Sequence, residues 1–327
     1  MLNSEWRRKR LLILCYHGIA LEDEHEWHPA LYMNASDFET RLEILKRGGY
    51  RVLPLAEALQ RMYAGELPER SVAITFDDGG YDFYKQAHPL LKAYGFPVTV
   101  YITTFYCDYN KPVFGLICSY MMWRKRGAIV DGRMITGADF TLNLAHEEGR
   151  AAALKVIVDF AEKENLSAAE KDEVARRLAT CLDIDYDELL ARRILHIMNR
   201  DEVETLAAQG VDFQLHTHRH RSPLDSKLFH REIDDNRRYI KDLTGVGADH
   251  FCYPSGAYRP EFLPWLSEDK VVSATTCDPD IASAESHPLM LPRLVDHSSL
   301  APIEFEGWLT GISSFLPRQR SYAHAAD

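Results

Sequence analysis

Two groups of side chains in this sequence have the types and spacing to do chemistry together. The first is Asp77-Asp78, which follows the apolar, β-branched run Ser71-Val72-Ala73-Ile74-Thr75-Phe76 and leads into Gly79-Gly80. Carboxylates at the end of a buried strand are costly as anions unless a cation or a metal ion pairs with them. The second is His216-Thr217-His218-Arg219-His220, directly after the run Val211-Asp212-Phe213-Gln214-Leu215. On one turn of helix, His216 and His220 would share a face with Cβ atoms about 5 to 6 Å apart, which suits two nitrogen ligands on one divalent ion. One carboxylate from the aspartate pair would complete a facial triad with positions left open for water and a carbonyl oxygen, as in a catalytic rather than a structural site. A purely structural reading, with Asp78 capping a helix and Asp77 in a turn with Gly79, explains the turn but not the histidines.

These groups need elements to hold them. Leu11-Leu12-Ile13-Leu14-Cys15 reads as a buried first strand. A helix is expected from Ser36, taken as its N-cap with Glu39 three positions on, through Phe38, Leu42 and Leu45 to a stop at Gly48-Gly49. A short strand at Tyr50–Leu53, a helix over Leu55–Tyr63, the Ser71–Phe76 strand, a helix over Tyr84–Tyr94 and a strand at Val98–Ile102 follow. Strand and helix alternate, so the strands are expected to be parallel, with ligands at their carboxyl ends where Asp77 and Asp78 lie. From about residue 107 to 199 the texture changes to a charged, Ala- and Leu-rich helical pattern, read as an insertion within a single domain spanning residues 1–327. Strands return at Val211–Leu215 and near His250–Tyr253, and a last helix is expected over Pro302–Leu309 with Phe305 and Trp308 facing the core.

Composition narrows the function. The 327 residues are 46% apolar and 27% charged, as in an ordinary globular chain. A net charge of -11 argues against a nucleic-acid partner, which needs a concentrated positive surface. The one dense basic run is Arg7-Arg8-Lys9-Arg10. The five apolar residues after it fall short of the roughly 7 to 15 of a secretory signal, and no segment offers the roughly 20 of a membrane span. A cytoplasmic location is therefore expected, with an unspecified oligomeric state. The six scattered cysteines form no C-x-x-C pair and read as buried reduced thiols.

Thr75-Phe76-Asp77-Asp78-Gly79 with His216-Thr217-x-x-His220 resembles the polysaccharide deacetylase family, the NodB-homology carbohydrate esterases. The likeness extends to Cys15-Tyr16-His17-Gly18, Tyr253-Pro254-x-Gly256 and Leu291-Pro292-Arg293, covering roughly residues 10–105 and 200–300. It implies an α/β fold, a distorted, incomplete (β/α) barrel of the NodB-homology type, here with a helical insertion. It further implies that Asp78, His216 and His220 hold one divalent metal ion and that Asp77 is the general base. The Ser255 amide, by its place in the Pro-x-Gly turn, would stabilise the oxyanion. Where many relatives carry an arginine before that turn, this chain has Cys252, so Arg293 is expected to take over the pairing with Asp77. His297 is the nearest match to the family's general acid, with His17 and His218 as the other candidates; His218 is expected to point away from the ligands. His17 and Tyr253 are read as substrate-binding.

The implied activity is hydrolytic removal of an N-acetyl or other small acyl group from an amino sugar in a poly- or oligosaccharide or a biosynthetic precursor. Zinc is the expected metal, and cobalt, nickel, iron and manganese suit the same donors. The insertion is expected to cover the site and select the substrate. Two other readings are a hydrolase of a different C–N bond, such as a deformylase or a cyclic amidase, and a non-catalytic sugar-binding relative.

Overall fold

The computed structural model describes residues 4–315. Nine short strands form its main sheet: β1 (Arg10–Tyr16), β2 (Arg51–Val52), β3 (Ser71–Phe76), β4 (Thr99–Ile102), β5 (Asp212–Leu215), β6 (His250–Cys252), β7 (Ser273–Thr275), β8 (Ala282–Ser283) and β9 (Leu294–Val295). The path runs β7-β6-β5-β4-β3-β1-β8, with β2 beside the start of β3 and β9 beside the end of β1. Every pairing is parallel except β1 with β8. The sheet curls toward closure through the irregular segment before β9, where Leu291 bridges Thr275.

Strand alternation sorts the core into two layers. Leu11, Ile13, Ala73, Tyr101, Cys252 and Leu291 fill the inside of the curl, and helix α2 (Leu55–Ala64) closes its amino end with Leu55, Ala58, Leu59 and Met62. The intervening residues Leu12, Leu14, Val72, Ile74 and Phe76 face outward against helix α1 (Ala35–Arg47) and its neighbours, where Phe38, Leu42 and Leu45 are buried. Asn34 rather than Ser36 caps α1, because the Asn34 side chain accepts the Asp37 N–H and Ser36 lies inside the helix. The inner layer becomes polar toward the carboxyl ends of the strands.

The basic run is split between surface and core, with Arg8 and Lys9 exposed. Arg7 is fully buried, and its guanidinium donates to the carbonyls of Leu309 (2.8 Å), Arg10 (2.7 Å) and Ser71 (3.3 Å).

Residues 107–199 contain helices α3 (Phe114–Arg124), α4 (Glu147–Lys163) and α5 (Ala168–Cys181), together with a small hairpin. They bury their own cluster, including Ile117, Met121, Ile157, Leu178 and Leu189, against which Leu21, Trp27 and Tyr32 from the loop after β1 pack. The far end returns to the sheet beside the aspartates: Ile197 bridges Gly80, Met198 N–H donates to Gly79 O (2.9 Å) and Tyr81 N–H to His196 O (2.8 Å). Among the described residues no helix is long and apolar enough to cross a membrane.

Candidate metal centre and catalytic residues

Strand β3 delivers Asp77 and Asp78 to the carboxyl rim, and a tight turn splits their directions. Gly79 N–H donates to Asp77 O (2.8 Å), and Asp78 takes a left-handed backbone with φ 67°. Gly79 follows at φ 80°, and a Cβ there would come within 2.5 Å of Ile102 Cγ1, so the turn requires glycine. Asp77 points into the curl, 2% exposed.

The histidines come from the end of β5, but on a loop rather than a helix. Thr217 (φ 61°) and His220 (φ 54°) are left-handed, and Thr217 Oγ1 accepts the Arg221 N–H at 3.0 Å. Helical spacing is thus achieved by a strained loop, a feature that clusters at functional sites. The loop brings the Nε2 atoms of His216 and His220 to 3.2 and 3.1 Å from Asp78 Oδ1. One ligand atom from each of the three residues lies within 4.8 Å of the others.

The hydrogen bonding agrees with a cation at this point. His216 Nδ1 lies 2.9 Å from Cys252 O and must be the donor, since a carbonyl only accepts. In the neutral ring, Nε2 is then a bare lone pair facing a carboxylate oxygen, an arrangement that a shared positive charge relieves. These donors suit a divalent ion of the zinc group.

Behind the loop stands helix α6 (Ser226–Thr244). Asn236, fully buried, accepts the His216 N–H (2.9 Å) and donates to Ile102 O (3.0 Å) and Thr104 Oγ1 (2.9 Å). One turn away, Glu232 accepts the Arg219 N–H (2.9 Å) and bonds the side chains of Arg219 and Arg221. The sequence reading missed both; their signal is two polar residues four apart on the apolar face of an amphipathic helix. His218 turns from the ligands as expected, bonding Thr104 Oγ1 at 2.8 Å and meeting Phe105 edge-on.

Asp77 has its own partner. Arg293, fully buried, donates from Nη1 to Oδ1 and from Nη2 to Oδ2, both at 2.7 Å, and its guanidinium lies 5.6 Å from the centre of the Tyr101 ring. Burial alone would raise the Asp77 pKa; the Arg293 guanidinium outweighs it and holds the carboxyl well below the usual carboxylate range. The pairing of Arg293 with Asp77 that the sequence led us to expect is present. Around this pair lie three thiols, of which the sequence marked only Cys252, as the replacement of the family's arginine. Cys252 Sγ is 3.2 Å and Cys15 Sγ 3.5 Å from Asp77 Oδ2, and Cys277 Sγ is 3.6 Å from Arg293 Nη2.

His17, at the end of β1, brings Nε2 to 3.9 Å from Asp77 Oδ2. His297 follows β9, which pairs with the end of β1, so it belongs to the same rim. Burial lowers the His297 pKa, against the needs of a proton donor, and its Nδ1 has no partner among the described residues. Ser255 is left-handed (φ 57°) in the Pro254–Gly256 turn, whose Gly256 and Ala257 amides bond Tyr253 O and Pro254 O. The reading of Tyr253 as substrate-binding is corrected: its ring is fully buried and its hydroxyl donates to Leu289 O (2.9 Å), because strand alternation turns it into the outer core.

The curled parallel sheet, with an aspartate and two histidines converging at its carboxyl rim beside a buried carboxylate–guanidinium pair, defines an α/β protein of the half-barrel deacetylase type. The polysaccharide deacetylase family model matches residues 64–125 and 183–271, and the chain belongs to that family. The segment between those matches, residues 126–182, falls inside the insertion. YxkH of Bacillus subtilis (strain 168), a family relative, is 35% identical over 94 residues, 28% of this chain and 32% of that protein. A Staphylococcus aureus (strain MSSA476) protein named poly-β-1,6-N-acetyl-D-glucosamine N-deacetylase is 39% identical over 72 residues, 22% of this chain and 25% of that one. The chain thus matches a third or less of each of these relatives' lengths. The fold resembles that of the Streptococcus pyogenes deacetylase PplD, with a TM-score of 0.61 at 19% identity over 92% of this chain and 98% of that one. It also resembles a de-N-acetylase from Aggregatibacter actinomycetemcomitans, with a TM-score of 0.58 at 14% identity over 91% and 99%.

Proposed function

We propose that this chain is a metal-dependent hydrolase that removes an N-acetyl group from an amino sugar in a poly- or oligosaccharide or its precursor. The observation that carries the proposal is the convergence of Asp78 Oδ1, His216 Nε2 and His220 Nε2 beside an ionised Asp77. Those three residues would hold a divalent ion, zinc first among the candidates, which would supply Lewis-acid polarisation of an amide carbonyl and make a water more acidic. Asp77 accepts the proton of that water. Arg293 occupies both carboxylate oxygens, so the same contact that fixes the base also weakens it as a proton acceptor, and the proton must pass on promptly. The Ser255 amide is the donor we assign to the developing oxyanion, and the proton returned to the leaving amine comes from His17, nearer to Asp77, or from His297, whose lowered pKa leaves less of it protonated.

The activity in the S. aureus relative's name makes β-1,6-linked N-acetylglucosamine oligomers the first substrates to try. Acetate release from these and from other N-acetylated sugars, set beside formate release from N-formyl sugars and opening of cyclic amides, tests the reading. Acetate alone supports it. Turnover of only the other amides replaces it with a different C–N hydrolase, and sugar binding without any turnover replaces it with a binding protein. The cytoplasmic location expected from the sequence belongs to the same proposal, and cell fractionation tests it.

A further inference from the structure

The end of β1 brings two more donor atoms to Asp77. Strand alternation sends Tyr16 to the outer core and turns its neighbours Cys15 and His17 inward. The register that pairs Tyr16 with Phe76, continued by the Asp77 N–H donating to Tyr16 O (2.9 Å), sets Asp77 beside them. Cys15 Sγ lies 3.5 Å and His17 Nε2 3.9 Å from Asp77 Oδ2, and one ligand atom from each of the three residues is within 4.8 Å of the others. The His17 gap is too long for a hydrogen bond, and His17 Nδ1 is buried without a partner among the described residues. Coordination accounts for such spacing: zinc bonds of about 2.0 to 2.3 Å at tetrahedral angles set ligand atoms about 3.3 to 3.5 Å apart, and a larger ion sets them wider. Arg293 Nη2 contacts the sulfurs of Cys252 (3.0 Å) and Cys277 (3.6 Å), while among the described residues Cys15 has no such contact. The His17 side chain, 18% exposed, gives the cluster a face toward solvent.

We propose that Cys15, His17 and Asp77 form a second metal site, for a thiophilic divalent ion such as cadmium or excess zinc, and that filling it stops hydrolysis; the second half rests on the hydrolase reading of Asp77. Its donors are a sulfur, a nitrogen and an oxygen, a set that soft ions favour. The cluster of Asp78, His216 and His220 offers an oxygen and two nitrogens and no sulfur. On binding, the Cys15 S–H proton passes to solvent, and thiolate, neutral imidazole and carboxylate close on the ion. This site is the weaker of the two. A fully buried thiol must ionise, and the Arg293 guanidinium, 2.7 Å from Asp77 Oδ2, repels a cation there. It therefore fills at higher metal concentration than the first. Asp77 Oδ2 and His17 Nε2 are then both ligands, Oδ1 stays with Arg293 Nη1 (2.7 Å), and the base has no free oxygen with which to accept a proton.

The test loads the full-length protein with zinc, removes the excess by gel filtration and titrates in cadmium, following the ultraviolet thiolate-to-cadmium charge-transfer band together with acetate release. The band is expected to saturate at about one thiolate-bound cadmium per chain. Acetate release should fall with it by about 100-fold, the scale of a lost general base. Cadmium that merely replaces zinc on Asp78, His216 and His220 gives no band, since no sulfur is there. Cys15→Ser and His17→Gln, each shown to be folded by circular dichroism, should develop no band at the concentration that saturates the native protein, and each should keep its own cadmium-free rate. No band in the native protein, a band that survives either substitution because the ion sits on another thiol such as the half-buried Cys181 or Cys277, or a saturated band with an unchanged rate each overturns the proposal. The band is read without any substrate, so a protein that releases no acetate contradicts the hydrolase reading while the second site is still decided.

Discussion

At Asp77 the pairing with Arg293 settles a competition. Burial pushes the carboxyl toward its neutral form, and the guanidinium keeps it charged. Removing the guanidinium leaves burial in control, so the Asp77 pKa rises and protonation takes the base away at higher pH. Arg293→Met should move the acid limb of the kcat/KM profile upward by about 1 unit or more. An unmoved limb would show that another group sets it. Breaking this buried pair should also cost about 3 to 5 kcal/mol of stability, so folding of the variant is checked by circular dichroism before kinetics. Asp77, Asp78, His216 and His220 were legible in the sequence because strand ends and spacing mark them. The thiols of Cys15 and Cys277 were not, since cysteine is an ordinary core residue until strand register places it, as that of β1 and β3 places Cys15 beside Asp77.

The elements of the rim are held by polar side chains from outside the motifs. Asn236 ties the ends of β4 and β5 through three hydrogen bonds, one of them to the His216 N–H. Asn236→Ala leaves these groups unpaired, at roughly 1 to 3 kcal/mol, and should weaken zinc binding by about 10- to 100-fold, as losses behind a metal ligand do. Titration calorimetry with zinc measures it, and wild-type affinity would mean the loop holds itself. Asp82 does a similar task on the other side, accepting the Ile19 N–H at 2.7 Å. Burial pushes its pKa up to about 8. Between the ordinary carboxylate value and about 8 the folded protein keeps a proton that the unfolded chain has lost, so this group's stability is full at acid pH and declines as pH rises, by about 1.4 kcal/mol per unit. Asp82→Asn keeps the acceptor without the titration and should flatten the fall in urea-unfolding stability between about pH 5 and 7.5; parallel slopes for the two proteins would refute the assignment.

Most strands and helices were readable because alternation and helical spacing are strong in them. The His216–His220 segment misled for a physical reason: four-residue spacing is shared by a helix and by a loop with two left-handed residues, and only the backbone distinguishes them. Similarly, Asn34 caps α1 in place of Ser36, since both are good caps two residues apart and packing chooses the register.

Across the described residues, the segments around Arg7 and Leu309 and the residues 196–198 meet the sheet at opposite ends. Arg7 joins the amino-terminal segment to Leu309 in helix α7 (Pro302–Thr310) and to Ser71 at the start of β3. Arg7→Ala strands three buried carbonyls and opens a cavity, and should cost about 3 kcal/mol or more in urea unfolding while leaving zinc affinity unchanged. A loss below about 1 kcal/mol would mean that water satisfies those carbonyls. Composition marked the change of texture over residues 107–199 but not how that segment docks, because the contacts of Gly79, Gly80 and Tyr81 with residues 196–198 are made by backbone and leave no side-chain signature.

We propose above all that Asp78, His216 and His220 hold one ion for Asp77 to work beside. Metal content by elemental analysis, measured with acetate release for the native protein, Asp77→Asn and His216→Ala, tests it most directly. About one divalent ion per chain with turnover is expected in the native protein, the same ion without turnover in Asp77→Asn, and neither in His216→Ala. Native protein that takes up none of zinc, cobalt, nickel, iron or manganese, or a His216→Ala variant that keeps full occupancy and rate, would contradict it.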